Sequence, residues 1–163
     1  MERETNHLRL RVDYTKCTGC HLCEIACSLF NEGMCNPALS KVSVISWEEA
    51  LDFPLVCHQC DDAPCVTACP AEARVRNEKT WAIHVDKQKC IGCRMCIFEC
   101  PFGAISVRRE DGTTTNCILC NGEPRCVQVC ETQAIRFVPA TEESQRMFEK
   151  ARDKLKEYRQ TLE

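Results

Sequence analysis

The chain has 163 residues, a formal net charge of −3, 44% hydrophobic residues and 17 cysteines. A mildly negative chain lacks the basic footprint of a nucleic-acid binder, and no stretch approaches the ~20 apolar residues of a membrane-spanning helix. Cysteine at about one residue in ten is the level of a secreted disulfide scaffold. Residues 1–7 are polar and charged, no apolar run of signal-peptide length follows, and Arg9 and Arg11 are not an adjacent pair. A cytoplasmic, reducing location is the expectation, where clustered cysteines bind metal.

Residues 8–12 alternate apolar and basic side chains, the pattern of a short strand. Cys17, Cys20, Cys23 and Cys27 follow as C-x2-C-x2-C-x3-C. Residues 28–56 read as an insertion covering one lobe. Asn36-Pro37 breaks the chain, residues 41–47 with Val42 and Val44 read as a strand or hairpin arm, and residues 48–52 as one helical turn. Cys57, Cys60, Cys65 and Cys69 give C-x2-C-x4-C-x3-C, followed by Pro70. Residues 73–75 and 81–85 read as two strands joined by a polar turn.

Cys90, Cys93, Cys96 and Cys100, followed by Pro101, form C-x2-C-x2-C-x3-C-P, the ligand run of bacterial ferredoxins. Three thiolates on a tight loop can converge on one 4Fe-4S cube, and Gly92 lets that loop take left-handed angles. Cys100 lies one helical turn beyond Cys96, and in two-cluster ferredoxins this fourth cysteine serves the other cluster. Short strands are expected to alternate with short helices that carry each fourth cysteine. Residues 104–107 read as a strand, 108–114 contain an Asp-Gly turn, and 134–138 read as a further strand. Between them Cys117, Cys120, Cys126 and Cys130 give C-x2-C-x5-C-x3-C, which leaves Cys35 outside the four quartets, most simply as a buried structural thiol. Residues 141–163 carry an apolar stripe at helical spacing through Met147, Phe148, Ala151, Leu155, Tyr158 and Leu162.

Residues 12–20 match 85–93 at an offset of 73, and the second quartet matches the fourth at offsets of 60 and 61. Each repeat unit therefore holds one tight and one looser quartet. Structural zinc usually pairs two cysteine knuckles across a longer loop, whereas each quartet here packs four cysteines into 11 to 14 residues. Iron–sulfur clusters are the expected cofactor, with a zinc-stabilised interaction module as the remote rival. His21 and His58 sit between ligands where no quartet lacks a cysteine. Lys16, Lys89 and Arg94 are either solvated cations or charges that raise a nearby cluster's potential.

Val56-Cys57-His-Gln-Cys60-Asp-Asp-Ala63-Pro64-Cys65 and Ala68-Cys69-Pro70, with tight quartets on either side, resemble the iron–sulfur subunits of the dimethyl sulfoxide reductase type. The resemblance covers residues 8–138. Related four-cluster proteins serve tungsten aldehyde oxidoreductases, carbon monoxide dehydrogenases and hydrogenases, and the short chain looks closest to the first two. The resemblance implies an α+β fold of two ferredoxin-like lobes plus a C-terminal amphipathic helix. The outer lobe would be 1–56 with 108–139, the inner lobe 57–107, and the helix 140–163. It also implies a non-catalytic electron-transfer subunit with four 4Fe-4S clusters, serving a large tungsten- or molybdenum-pterin subunit and exchanging electrons with a flavin subunit or ferredoxin. A free polyferredoxin is the alternative.

The tail proline follows only Cys69 and Cys100, so the second and third quartets look like one complete lobe; the first and fourth would close the other, as the resemblance implies. One cube would take Cys57, Cys60, Cys65 and Cys100, and its neighbour Cys90, Cys93, Cys96 and Cys69. The other lobe would hold Cys17, Cys20, Cys23 with Cys130, and Cys117, Cys120, Cys126 with Cys27. Sequential pairing of first with second and third with fourth is the rival that the 73-residue repeat allows. The C-terminal stripe is expected to dock on the catalytic subunit or a second copy of the chain; packing against its own lobes is the rival.

Overall fold

The computed structural model describes residues 7–47 and 51–140. In chain order the elements are β1 (Leu8–Val12), α1 (Leu22–Glu32), β2 (Ser43–Trp47), β3 (Leu51–Leu55), α2 (Pro64–Thr67), β4 (Arg74–Arg76), β5 (Ile83–Val85), α3 (Met95–Phe98), β6 (Ile105–Val107), β7 (Thr114–Asn116), α4 (Arg125–Gln128) and β8 (Ile135–Pro139). Short helices alternate with small antiparallel pairs, the α+β pattern of a ferredoxin-like 4Fe-4S domain. The expected helix at 141–163 lies outside the described residues. Among those residues no helix is long and apolar enough to cross a membrane.

The strands pair as β1 with β8, β2 with β3, β4 with β5 and β6 with β7. The strand before the first quartet thus lies against the strand after the fourth, with Val12 opposite Ile135. The strand before the third quartet lies against the strand after the second, with Val85 opposite Arg74. These are equivalent registers in the two halves of the repeat. Helix contacts follow the same division, α1 with α4 and α2 with α3.

Helices α2, α3 and α4 each carry the third cysteine of a quartet, and the fourth cysteine stands just beyond the helix end. Its amide closes the last turn: Cys69 N donates to Val66 O at 3.1 Å, and Cys100 N to Ile97 O and Cys130 N to Val127 O at 3.3 Å. This corrects the expectation that each short helix carries the fourth cysteine. Pro70 and Pro101 account for two of the three stops, because a proline disfavours helical angles at the residue before it. Three residues past each fourth cysteine the chain turns through left-handed φ, at Glu72, Gly103 and Gln133. In α1 no such stop intervenes, so the helix runs through Cys23 and Cys27 and ends at Gly33, φ 73°, whose N–H reaches Leu29 O at 3.0 Å.

The 28–56 segment folds onto α1. The arm expected at 41–47 is β2, and its partner β3 includes Leu51 and Asp52, where a helical turn was expected; 48–50 lie outside the described residues. Strand pairing with Trp47 and Ser46 fixes those two residues as extended. Buried Glu24 accepts from Val44 N at 2.6 Å and meets His21 Nδ1 at 2.8 Å, which ties the hairpin to α1. Cys35 is exposed just past Gly33, not buried as expected, because the chain turns outward at that cap.

The core is two apolar groups. One gathers Leu10, Val42, Val56, Leu119 and Ile135 with Cys23, Cys27, Cys57, Cys117 and Cys126; the other gathers Ala63, Ile83 and Ile105 with Cys65 and Cys96. Glu32 joins separate parts of the first. Its carboxylate accepts from Lys41 Nζ at 2.8 Å and from Arg108 Nη1 and Nη2 at 3.1 and 3.0 Å. The Arg108 hydrogen bonds, outweighing the cost of burial, and the Lys41 hydrogen bond hold this carboxyl down at about 2. A depressed carboxyl stabilises the fold fully above its unfolded value, and that contribution is lost only as pH falls towards the folded value. Glu32→Gln should therefore cost about 1–2 kcal/mol after solvent screening. The difference in unfolding midpoint from wild type should stay constant between about pH 6 and 9; a difference that changes across that window would contradict this role for Glu32.

Candidate metal centres

The loops between the first cysteines are shaped by left-handed backbone. Gly19 (φ 65°) and Gly92 (φ 67°) occupy equivalent places in the two tight quartets, as the sequence predicts for Gly92. A Cβ on Gly92 would stand 3.1 Å from Gly112 O, and one on Gly19 would run into the Asp52 carboxylate of β3. His21 and Arg94, φ 58° and 65°, begin the helices that carry Cys23 and Cys96.

The structure brings cysteines of different quartets together. Cys17, Cys20, Cys23 and Cys130 line one cavity, and Cys69, Cys90, Cys93 and Cys96 another. Cys57 lies within electrostatic range of Cys60, Cys65 and Cys100, and Cys126 of Cys27, Cys120 and Cys23. Asn31 Nδ2 bridges two sulfurs, 3.5 Å from Cys27 Sγ and 3.9 Å from Cys120 Sγ. Neighbouring groups also touch electrostatically: Cys65 with Cys96, Cys57 with Cys117, and Cys23 with Cys126. Among the described residues, no three His, Cys, Asp or Glu side chains form a group that could hold a single ion.

Burial dominates the protonation of these thiols. It pushes Cys57 up to about 11 and Cys126 to about 12, and holds Cys117 well above the ordinary thiol value. Cys23 rises to about 12 through burial first and the adjacent Glu24 second. At Cys90 burial is outweighed by hydrogen bonds from Thr114 and Gly92, and the net shift is downward. A buried thiol does not ionise readily in its own apolar setting; a metal that takes the sulfur as thiolate drives the proton off. The protein supplies donors for that sulfur charge: Lys41 N to Cys27 Sγ and Ala73 N to Cys69 Sγ, both 3.3 Å, and Leu119 N to Cys117 Sγ, 3.5 Å. Four soft donors per group, backed by N–H groups, fit an iron–sulfur cluster.

The chain matches the 4Fe-4S dicluster domain over residues 49–140, more than half its length. It belongs to that family. Membership makes it an iron–sulfur protein of electron transport with 4Fe-4S clusters as cofactors. It is 42% identical over 115 residues to the polyferredoxin-like subunit of the aliphatic sulfonate oxidoreductase of Pyrococcus furiosus, covering 71% of this chain and 66% of that protein's length. It is 32% identical over 151 residues to the thiosulfate reductase electron transfer subunit of Salmonella typhi, covering 84% and 78% respectively. Among solved structures it is similar to a chain of the active-site complex of benzoyl coenzyme A reductase as isolated. That match has a TM-score of 0.49 and 23% identity, and covers 81% of this chain and 76% of that one.

Of the other polar residues singled out in the sequence, His21 lines the cavity of Cys17, Cys20, Cys23 and Cys130, and Arg94 that of Cys69, Cys90, Cys93 and Cys96. Lys16, Lys89 and Arg94 are exposed. His21 bonds Glu24, and His58 stacks on Phe102 at 4.0 Å. Sequence reading misses the buried polar ties between quartets. Gln59, fully buried inside the second quartet, donates to Cys117 O of the fourth at 2.7 Å and accepts from Ile83 N at 2.7 Å. Asn116 donates to Ile83 O at 2.7 Å and Cys117 O at 2.8 Å, with Cys57 Sγ 3.9 Å away. A polar residue beside a cysteine is unremarkable in sequence; only the pairing of distant quartets gives it a partner. Gln59→Leu leaves Ile83 N buried and unsatisfied and should lower holoprotein stability by about 1–3 kcal/mol. Thermal unfolding under anaerobic conditions checks this, and an unchanged midpoint would remove Gln59 from the account.

Proposed function

We propose that this chain is the electron-transfer subunit of a larger oxidoreductase complex, relaying electrons through four 4Fe-4S clusters. The observation that carries the reading is that cysteines of different quartets lie together: Cys130 lines a cavity with Cys17, Cys20 and Cys23, Cys69 lines one with Cys90, Cys93 and Cys96, and Cys100 stands near Cys57. The proposed ligand sets are Cys17, Cys20, Cys23, Cys130; Cys117, Cys120, Cys126, Cys27; Cys57, Cys60, Cys65, Cys100; and Cys90, Cys93, Cys96, Cys69. The lobes are then 57–107 and 1–56 with 108–139, a division supported by the β1–β8 and β4–β5 pairings.

When bound, each cluster supplies one-electron storage; the chain's own residues space the sites and shield them from water. Contacts between neighbouring groups order the relay. The Cys69/90/93/96 group adjoins Cys57/60/65/100, which adjoins Cys27/117/120/126, which adjoins Cys17/20/23/130. Apolar side chains are exposed beside both ends: Phe98 (82%) and Ile91 (69%) next to one terminal group, and Leu22 (45%) in the lining of the cavity that holds Cys17, Cys20, Cys23 and Cys130. Single exposed apolar residues are ordinary, but clusters of them mark docking faces. Two docking ends suit a subunit held between an electron source and an acceptor. The catalytic partner is proposed to be a tungsten- or molybdenum-pterin subunit in the cytoplasm. The relatives' names, a sulfonate oxidoreductase and a thiosulfate reductase, support an oxidoreductase complex without fixing its substrate.

Anaerobic purification of the chain from its native host tests the proposal. About sixteen irons and as many sulfides per chain are expected, with a large pterin-containing subunit co-purifying and no stoichiometric three-iron EPR signal. Zinc in place of iron would overturn the cluster reading. A fully iron-loaded chain that purifies alone would favour the free polyferredoxin.

A further inference from the structure

Arg74, in β4, is 2% exposed. A buried guanidinium is costly unless negative charge faces it and its donors are used. Nη1 donates to Asn116 Oδ1 at 2.9 Å and Nη2 to Thr114 Oγ1 at 3.2 Å, both neutral partners. Nε is buried with no hydrogen-bond partner. Among the described residues no carboxylate pairs with it, in contrast to Arg9, which meets Asp61, and Arg108, which meets Glu32. The acidic groups it does reach are thiols. Its charge acts on Cys65 and Cys90, and it lines one cavity together with Cys69, Cys90, Cys93 and Cys96.

The internal repeat isolates this feature. At the offset of 61, position 74 corresponds to Ile135. Ile135 is 1% exposed and pairs with Val12, as Arg74 pairs with the equivalent Val85. One lobe therefore buries a cation where the other buries a hydrocarbon, on the same strand and in the same register.

We infer that Arg74 tunes the relay: its guanidinium, buried between the Cys57/60/65/100 and Cys69/90/93/96 groups, favours the reduced state of both clusters held there. The inference rests on the four-cluster reading above. The physical reason is charge. A cube held by four thiolates is net negative and becomes more so on reduction, so a fixed cation nearby favours the reduced form, most strongly where water is excluded.

The test is anaerobic potentiometry with EPR detection on the iron-loaded chain, comparing wild type, Arg74→Met and Arg74→Lys. At a fixed ambient potential, Arg74→Met should lower the reduced-to-oxidised ratio of the affected clusters about tenfold, 59 mV for a one-electron couple. Arg74→Lys, which keeps the charge, should restore most of it. Iron and sulfide content is measured on the same samples. Unchanged potentials in a fully loaded Arg74→Met protein would overturn the inference. So would equal cluster loss in both variants, which would make Arg74 structural. Wild type without iron and sulfide would overturn the cluster reading itself, and this inference with it.

Discussion

Everything in this fold depends on burying sulfur that must carry charge. The larger apolar group contains Cys23, Cys27, Cys57, Cys117 and Cys126 among its buried members. Strands of three to five residues and, α1 apart, helices of four leave little hydrocarbon to pack besides. Such a core is stable only if something draws the thiol protons off and shares the negative charge that follows. Metal binding and folding are therefore one process here, and the amides that reach Cys27, Cys69 and Cys117 belong to it as much as the cysteines do.

In the proposed ligand scheme the fold and the exchange between quartets go together. Three of the fourth cysteines stand just past a four-residue helix whose last turn their amide closes. Cys69 and Cys130 each meet the loop of another quartet, and the strand that follows pairs beside that quartet. This links the β1–β8 and β4–β5 registers to the gathering of Cys130 with Cys17 and of Cys69 with Cys90. Chain ends and chain middle close two similar units, which Gln59 and Asn116 then tie together through Cys117 O.

Local chemistry made much of this legible in the sequence. Alternation at 8–12 marks β1, the Asp-Gly turn marks the β6–β7 hairpin, and glycine between the first two cysteines marks the left-handed loop. The cysteine spacing points to 4Fe-4S clusters, and the match to the 4Fe-4S dicluster domain bears that out. What sequence does not carry is the outcome of long-range competition. Residues 51–52 belong to a strand because β2 lies beside them. Cys35 faces solvent because Gly33 turns the chain outward. The weight of Arg74 over the surface cations Lys16, Lys89 and Arg94 depends on burial, although its replacement by Ile135 in the repeat was already a visible asymmetry.

The central claim is that each cluster takes three cysteines from one quartet and one from another. Diffraction from anaerobically grown crystals, with anomalous data at the iron edge, tests it directly. The account predicts four iron peaks per chain, with Cys100 bonded to the peak that holds Cys57, Cys60 and Cys65, and Cys130 bonded to the peak that holds Cys17, Cys20 and Cys23. Cys27 and Cys57 bonded to the same cube would contradict it.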